Sequence, residues 1–277
     1  MKYTLIIGAG IHNHTLRKPE YSDSPLRSWD ALMKKIGGKN YHNPLLGFES
    51  LITDTANKKA VPANQAESLL LHELAKILNE EQHKVLEDKD ISYPVQIFNP
   101  EKVSDVIILN FDLVIEMLLS NGNLPELIKH EHSFYRIING IKFWHPHGDI
   151  ERPQSIDFGI REYGKNTLDV ERLRALFKKD ERSGAYDSSE ITPTWYSAMI
   201  LNPLVFAGTS LSFDEWGLWF ALTSRKRNFA TKGEELPIYT LNKKDAFCNL
   251  YRFTNTIAIS DLEDYEKSWQ SLIEFLN

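Results

Sequence analysis

A single cysteine, Cys248, is all that this 277-residue chain contains. That excludes an internal disulfide and any zinc ribbon built from cysteines. Long apolar runs are missing too: no stretch reaches the roughly 18 residues that a membrane-spanning helix needs. Nor is there an excess of positive charge. The 32 Lys and Arg stand against 38 Asp and Glu, for a formal charge of −6, whereas tracking a nucleic-acid backbone calls for clustered cations. The one basic cluster, Ser224-Arg225-Lys226-Arg227, reads as the charged end of a helix. Tyr3–Ile7 runs directly into a glycine turn rather than a secretory leader. The expectation is a cytoplasmic protein with no signal peptide, no membrane segment and no direct nucleic-acid partner.

What is present is a core-forming chain, 42% hydrophobic and 25% charged. Short apolar runs predict strands at Tyr3–Ile7, Val106–Leu109, Ile141–His145, Leu204–Ala207, Ile238–Leu241 and Thr256–Ile259. Their mostly continuous hydrophobicity suits strands covered on both faces. Helical patterns lie between them: Trp29 onward behind an N-cap Ser28, Ala66–Leu86, Leu113–Leu119, Asp169–Lys179 and Phe213–Leu222. A last helix carries Tyr265, Trp269, Leu272 and Leu276 on one face, with Ser260 and Glu263 at capping-box spacing. This alternation predicts an α/β fold, a doubly wound and mostly parallel sheet, in one domain over residues 1–277. Helical elaborations at about 40–100 and 153–203 are expected to cover the sheet's ligand edge.

Three apolar runs break into small and polar residues just where an open parallel sheet binds ligands. Gly8-Ala9-Gly10 holds two glycines of a dinucleotide fingerprint, with Asn13 in place of the third. Gly208-Thr209-Ser210-Leu211-Ser212 offers N–H groups and hydroxyls to an anion at a helix start. Asn110 and Asp112 flank Phe111 between apolar stretches, where unpaired burial would cost about 1–3 kcal/mol each; Asp112 also fits a helix N-cap. Asn242, just past its strand, suits either a ribose hydrogen bond or a plain turn. His145 and His147, two residues before Asp149, are candidates for a general base. A metal site is the weaker alternative there, since all nine histidines lie before residue 148. His72 and His83 read as surface residues.

Taken in order, these strings resemble the sirtuin superfamily and, more narrowly, the sirtuin-like domains of bacterial antiviral defence proteins that hydrolyse NAD. The resemblance rests on Gly8–Gly10, Ser28–Ile36, Asn110–Asp112, His147–Gly148, Gly208–Leu211, Asn242 and the closing strand and helix at Ile257–Leu276. It implies an NAD glycohydrolase, with NAD as substrate and no metal. Gly8, Ala9, Gly10, Gly208, Thr209 and Ser210 would hold the NAD phosphates and Asn242 the adenine-side ribose. Asn110 would position the nicotinamide ribose or the attacking water, and Asp112 the nicotinamide carboxamide. His147, followed by glycine as in the family's His-Gly pair, would be the base. The deacylase features are missing: no paired zinc cysteines, and His12 to Arg17 where those enzymes carry Ser and a loop arginine. Arg17 and Arg27 are the nearby arginines. An enzyme that depletes NAD needs restraint, so a homo-oligomer or an activating partner defence protein is expected. NAD-dependent deacylation, ADP-ribosyl transfer and a non-catalytic NAD- or ADP-ribose-binding module are the alternatives.

Overall fold

The structure, a computed structural model, describes residues 1–37, 43–130, 133–183, 190–209, 211, 215–232, 235–242, 256–260 and 264–277. Its centre is an eight-stranded sheet of β1 (Tyr3–Ile7), β2 (Val103–Ile108), β3 (Ile128–His130), β4 (Ser133–Ile138), β5 (Ile141–Trp144), β6 (Leu204–Ala207), β7 (Ile238–Asn242) and β8 (Thr256–Ser260), in the order β3-β4-β5-β2-β1-β6-β7-β8. The run from β5 to β8 is parallel throughout. β3 and β4 extend it as antiparallel strands. Within the parallel run the sequence order is third, second, first, fourth, fifth, sixth, the order of doubly wound dinucleotide-binding sheets.

Side-chain alternation divides the interior into two cores. Leu5, Ile7, Val106, Ile108, Val205 and Ala207 face one of them; Ile6, Ile107, Leu109, Leu204 and Phe206 face the other. The first is closed by α3 (Pro44–Lys59), α4 (Ala63–Glu87) and α9 (Tyr265–Leu276), through residues such as Phe48, Leu74 and Trp269. The second is closed by α6 (Ile160–Ser183), α7 (Trp195–Leu201) and α8 (Trp216–Lys232), through Leu173, Met199 and Leu222. Both faces of the sheet's centre are therefore buried, which is why its parallel strands are mostly apolar. The regions 40–100 and 153–203 contribute α3, α4, α6 and α7 to these layers.

Several boundaries differ from the sequence expectation. Ser28 does cap α2 (Trp29–Lys35), accepting from Ala31 N at 3.1 Å. α9, however, is capped by Asp264, which accepts from Glu266 N and Lys267 N, while Ser260 is engaged in β8 opposite Asn242; Glu263 lies outside the described residues. α8 starts only at Trp216 and runs to Lys232, so the basic cluster sits in mid-helix. There Arg225 is buried and donates to the carbonyls of Met199, Ile200, Asn202 and Leu236. Burial lowers its pKa to about 10. The expected strand end at His145 is Trp144, which leaves His145 as the first residue beyond β5.

Candidate functional site

β1 and β6 are neighbours, and the chain leaves them toward opposite sides of the sheet, so a crevice at their carboxyl ends is the place for a ligand. Gly8-Ala9-Gly10 follows β1, and α1 (Gly10–Thr15) begins there; Gly208-Thr209 follows β6. The two turns touch. Gly10 N donates to Gly208 O at 2.6 Å, and a methyl on Gly10 would lie 2.4 Å from Gly208 Cα and from the Tyr265 hydroxyl. That hydroxyl donates to Gly10 O at 3.0 Å. The glycines thus first serve close packing of turn on turn. Ala9, Gly10, Gly208 and Thr209 remain half-exposed at this edge. Thr209 Oγ1 accepts from Leu211 N at 3.1 Å. α8 begins at Trp216, with Glu215 immediately before it; Ser212 lies outside the described residues. Ser210 lies outside the described residues, and Asn242 is the last residue of β7 on the same edge.

Beside the crevice, three histidines each meet a carboxylate. His12 in α1 places Nε2 3.1 Å from Asp112 Oδ2 and Nδ1 2.7 Å from the Tyr93 hydroxyl. His145 contacts Glu116 of α5 (Val114–Leu119) through Nε2, and its Nδ1 is 3.0 Å from the Asn110 carbonyl. His147 places Nε2 2.9 Å from Glu215 Oε2, and its ring stacks on Tyr163 at 4.9 Å. All three imidazoles are at most 4% exposed. Asp112 does not cap α5: the cap residue is Leu113, and Asp112 Oδ1 accepts from Val114 N at 3.2 Å. Asn110 is half-exposed, and among the described residues its carboxamide has no hydrogen-bond partner.

These pairs fix charge states. Burial opposes ionisation of His145 and His147, but Glu116 and Glu215 outweigh it and raise both pKa values above 6.5. Burial likewise works against the Asp112 and Asp149 carboxylates. Charge and a hydrogen bond from His12 overcome it at Asp112, and Arg152 does so at Asp149, so both values fall below 3.8. By linkage, the two histidines stabilise the fold fully below pH 6.5 and lose that contribution as pH rises through their raised folded values. The two aspartates contribute above pH 3.8 and lose it as pH falls through their depressed ones. Urea unfolding at a series of pH values should therefore show stability declining on the alkaline side of 6.5. A flat profile there would contradict the pairing.

The sheet edge gathers Gly8–Gly10, Gly208, Thr209, Asn110, Asp112 and His147, together with three groups the sequence reading left aside: His12, Glu116 and Glu215. His12 had a signal, being the histidine two residues after Gly10 at the start of a helix. Glu116 and Glu215 had none, because only tertiary structure turns them inward. Arg17 pairs with Glu266 at 2.7 Å, and Arg27 donates to Asn13 and to the Tyr21 carbonyl. His72 and His83 are exposed. Among the described residues no group of three or more His, Cys, Asp or Glu is arranged to hold a metal, and no helix is long and apolar enough to cross a membrane. Neither a protein-family model nor a curated protein matches the chain. The site must be read from its own chemistry.

Proposed function

We propose that this chain is a sirtuin-type NAD glycohydrolase that cleaves the nicotinamide–ribose bond to give nicotinamide and ADP-ribose. One observation carries the reading. Glycine turns at the β1/β6 switch point share a sheet edge with Asn110, whose carboxamide has no partner among the described residues, and with a carboxylate-backed histidine, His147. The first combination suits a dinucleotide and the second suits displacement at a sugar carbon. The half-exposed backbone at Ala9, Gly10, Gly208 and Thr209 suits the phosphates. Tight contact between Gly10 and Gly208 limits how many of its N–H groups are free to bind them.

In the reaction, the C–N bond breaks and nicotinamide leaves as a neutral ring with the bonding electron pair. Water attacks the anomeric carbon of the oxocarbenium-like ribose, and His147 takes the proton that water gives up. Glu215 orients the imidazole and balances the imidazolium that forms. Asn110 fixes the ribose or the water, and Asp112, held by His12, accepts from the nicotinamide amide. Because His147 must be neutral to act, turnover should rise with pH through its raised value.

Incubating the purified protein with NAD, and separating products by chromatography at several protein concentrations, tests the reading. Equal release of nicotinamide and ADP-ribose is expected, rising more than proportionally with concentration if self-assembly activates the enzyme. Tight NAD or ADP-ribose binding with no nicotinamide release overturns hydrolysis in favour of a binding module. Transfer of ADP-ribose or acyl groups when an acyl-lysine peptide is added would point to the transferase or deacylase alternative. If the protein hydrolyses NAD, we place it as an effector that depletes NAD during antiviral defence, held back by its assembly or a partner.

A further inference from the structure

His145 stands immediately beyond β5, with its side chain 3% exposed. Its Nδ1 faces the Asn110 carbonyl, which can only accept, so this nitrogen carries a hydrogen. Its Nε2 faces Glu116 Oε1. Glu116 is itself completely buried, and its second oxygen, Oε2, has no partner among the described residues. A buried carboxylate with one bare oxygen is a poor structural filler, since desolvation works against it. Its use is to hold charge against one ring. The same loop takes the next carbonyl of the turn as well: Ile150 N donates to Phe111 O at 3.0 Å. The segment after β5 therefore grips two successive carbonyls of the turn that carries Asn110.

We infer that Glu116 and His145 are a positioning pair for the reaction proposed above: Glu116 keeps a proton on Nε2, so that Nδ1–H stays on the Asn110 carbonyl and fixes the carboxamide beside it. The kinetic part of this inference rests on the NAD-cleavage reading; the grip on Asn110 does not. Other charged groups also bear on this ring. Asp149 adds to the effect of Glu116, Asp112 approaches from the end of β2, and His147 opposes them. Arg136 and Arg152 in turn neutralise Asp149. When the ring loses a proton, it keeps the one that faces the carboxylate. A bare Nδ1 lone pair then meets the carbonyl oxygen, and the grip opens. A neutral glutamine at position 116 removes that conflict, because its amide can donate to Nε2 while Nδ1 keeps its hydrogen.

The test compares the parent with His145→Asn, His145→Gln and Glu116→Gln. In His145→Gln, kcat should fall about 10- to 100-fold while KM for NAD changes less than about 2-fold, as expected for a lost alignment. His145→Asn, whose amide donor sits near the place of Nδ1, should retain more kcat although it is the smaller side chain. The parent should show an alkaline decline in kcat that is absent in Glu116→Gln. Nitrogen-15 spectra of the imidazole should show both ring nitrogens protonated at neutral pH in the parent, and only one in Glu116→Gln. Equal kcat in the two His145 variants, or an unchanged alkaline limb in Glu116→Gln, overturns the inference. A parent that binds NAD without cleaving it overturns the function instead. The pair is then judged by the Asn110 side-chain amide signals, which must move with the titration of His145 for it to stand.

Discussion

His147→Gln is expected to lower NAD turnover about 10²–10⁴-fold, the usual loss for a positioned general base, while the protein unfolds close to the parental midpoint. The glutamine amide reaches roughly where Nε2 was and can donate to Glu215, yet it cannot take a proton at neutral pH. His147→Ala should lose as much activity and stability besides. Glu215 is 9% exposed, and removing its partner strands a buried carboxylate, at a cost of about 3–5 kcal/mol. Asn110→Ala, by contrast, removes a half-exposed carboxamide with no partner among the described residues. It should leave the melting point in place while turnover falls by at least about 10²-fold. Steady-state kinetics beside thermal melts separate these outcomes. Parental turnover in either His147→Gln or Asn110→Ala would sink the assignment.

Gly148→Ala should be the most damaging single methyl in the site. Gly148 has φ of +81°, and an added Cβ would lie 1.9 Å from the Ser155 carbonyl oxygen and 2.3 Å from its carbon, both backbone atoms. Neither atom can swing aside, because Ser155 N and Oγ both donate to Arg152 O, and Asp149 N donates to Ser155 Oγ. The loop must shift, and it carries His145 and His147 with it. A loss of about 3 kcal/mol or more is expected, together with collapse of turnover. Gly140 supplies the control. Its φ is also +81°, but nothing lies within 4 Å of the added Cβ. Gly140→Ala should therefore cost only the backbone strain, about 1 kcal/mol, and leave kinetics alone. If denaturant titration found the two variants equally stable, the close approach at Gly148 would be refuted.

The parallel part of the sheet was legible because its strands are short and mostly apolar, as two-sided burial requires. Tyr3–Ile7 and Leu204–Ala207 have the limits read from sequence. The β3–β4 extension was not read. β4 presents a mixed face, with buried Ser133 and Arg136 beside exposed Ile137, so neither period is clear in it. A local signal did exist: Asn139 and Gly140 both have positive φ and join β4 to β5, the Asn-Gly pattern of a tight hairpin. Helix starts failed where tertiary demands overrode local caps. Asp112 turns to His12 instead of capping α5, and Glu215 turns to His147 ahead of α8. Asn110 and His147 were legible as polar residues at strand ends. The carboxylates behind the two loop histidines, Glu116 at His145 and Glu215 at His147, were not, because a glutamate near a helix start looks the same in sequence whether it faces water or a buried ring.

α6 ties these matters to the mechanics of the whole molecule. At about 36 Å long for 24 residues, it begins in one core, where Tyr163 is buried and Arg161 N donates to Glu49 of α3, and ends in the other through Val170, Leu173 and Phe177. A rod anchored in both layers prevents either from opening by itself. Amide hydrogens on the two sides of the sheet should then exchange through one shared global opening, and fraying at the first turn of this rod should loosen His147 before any strand parts.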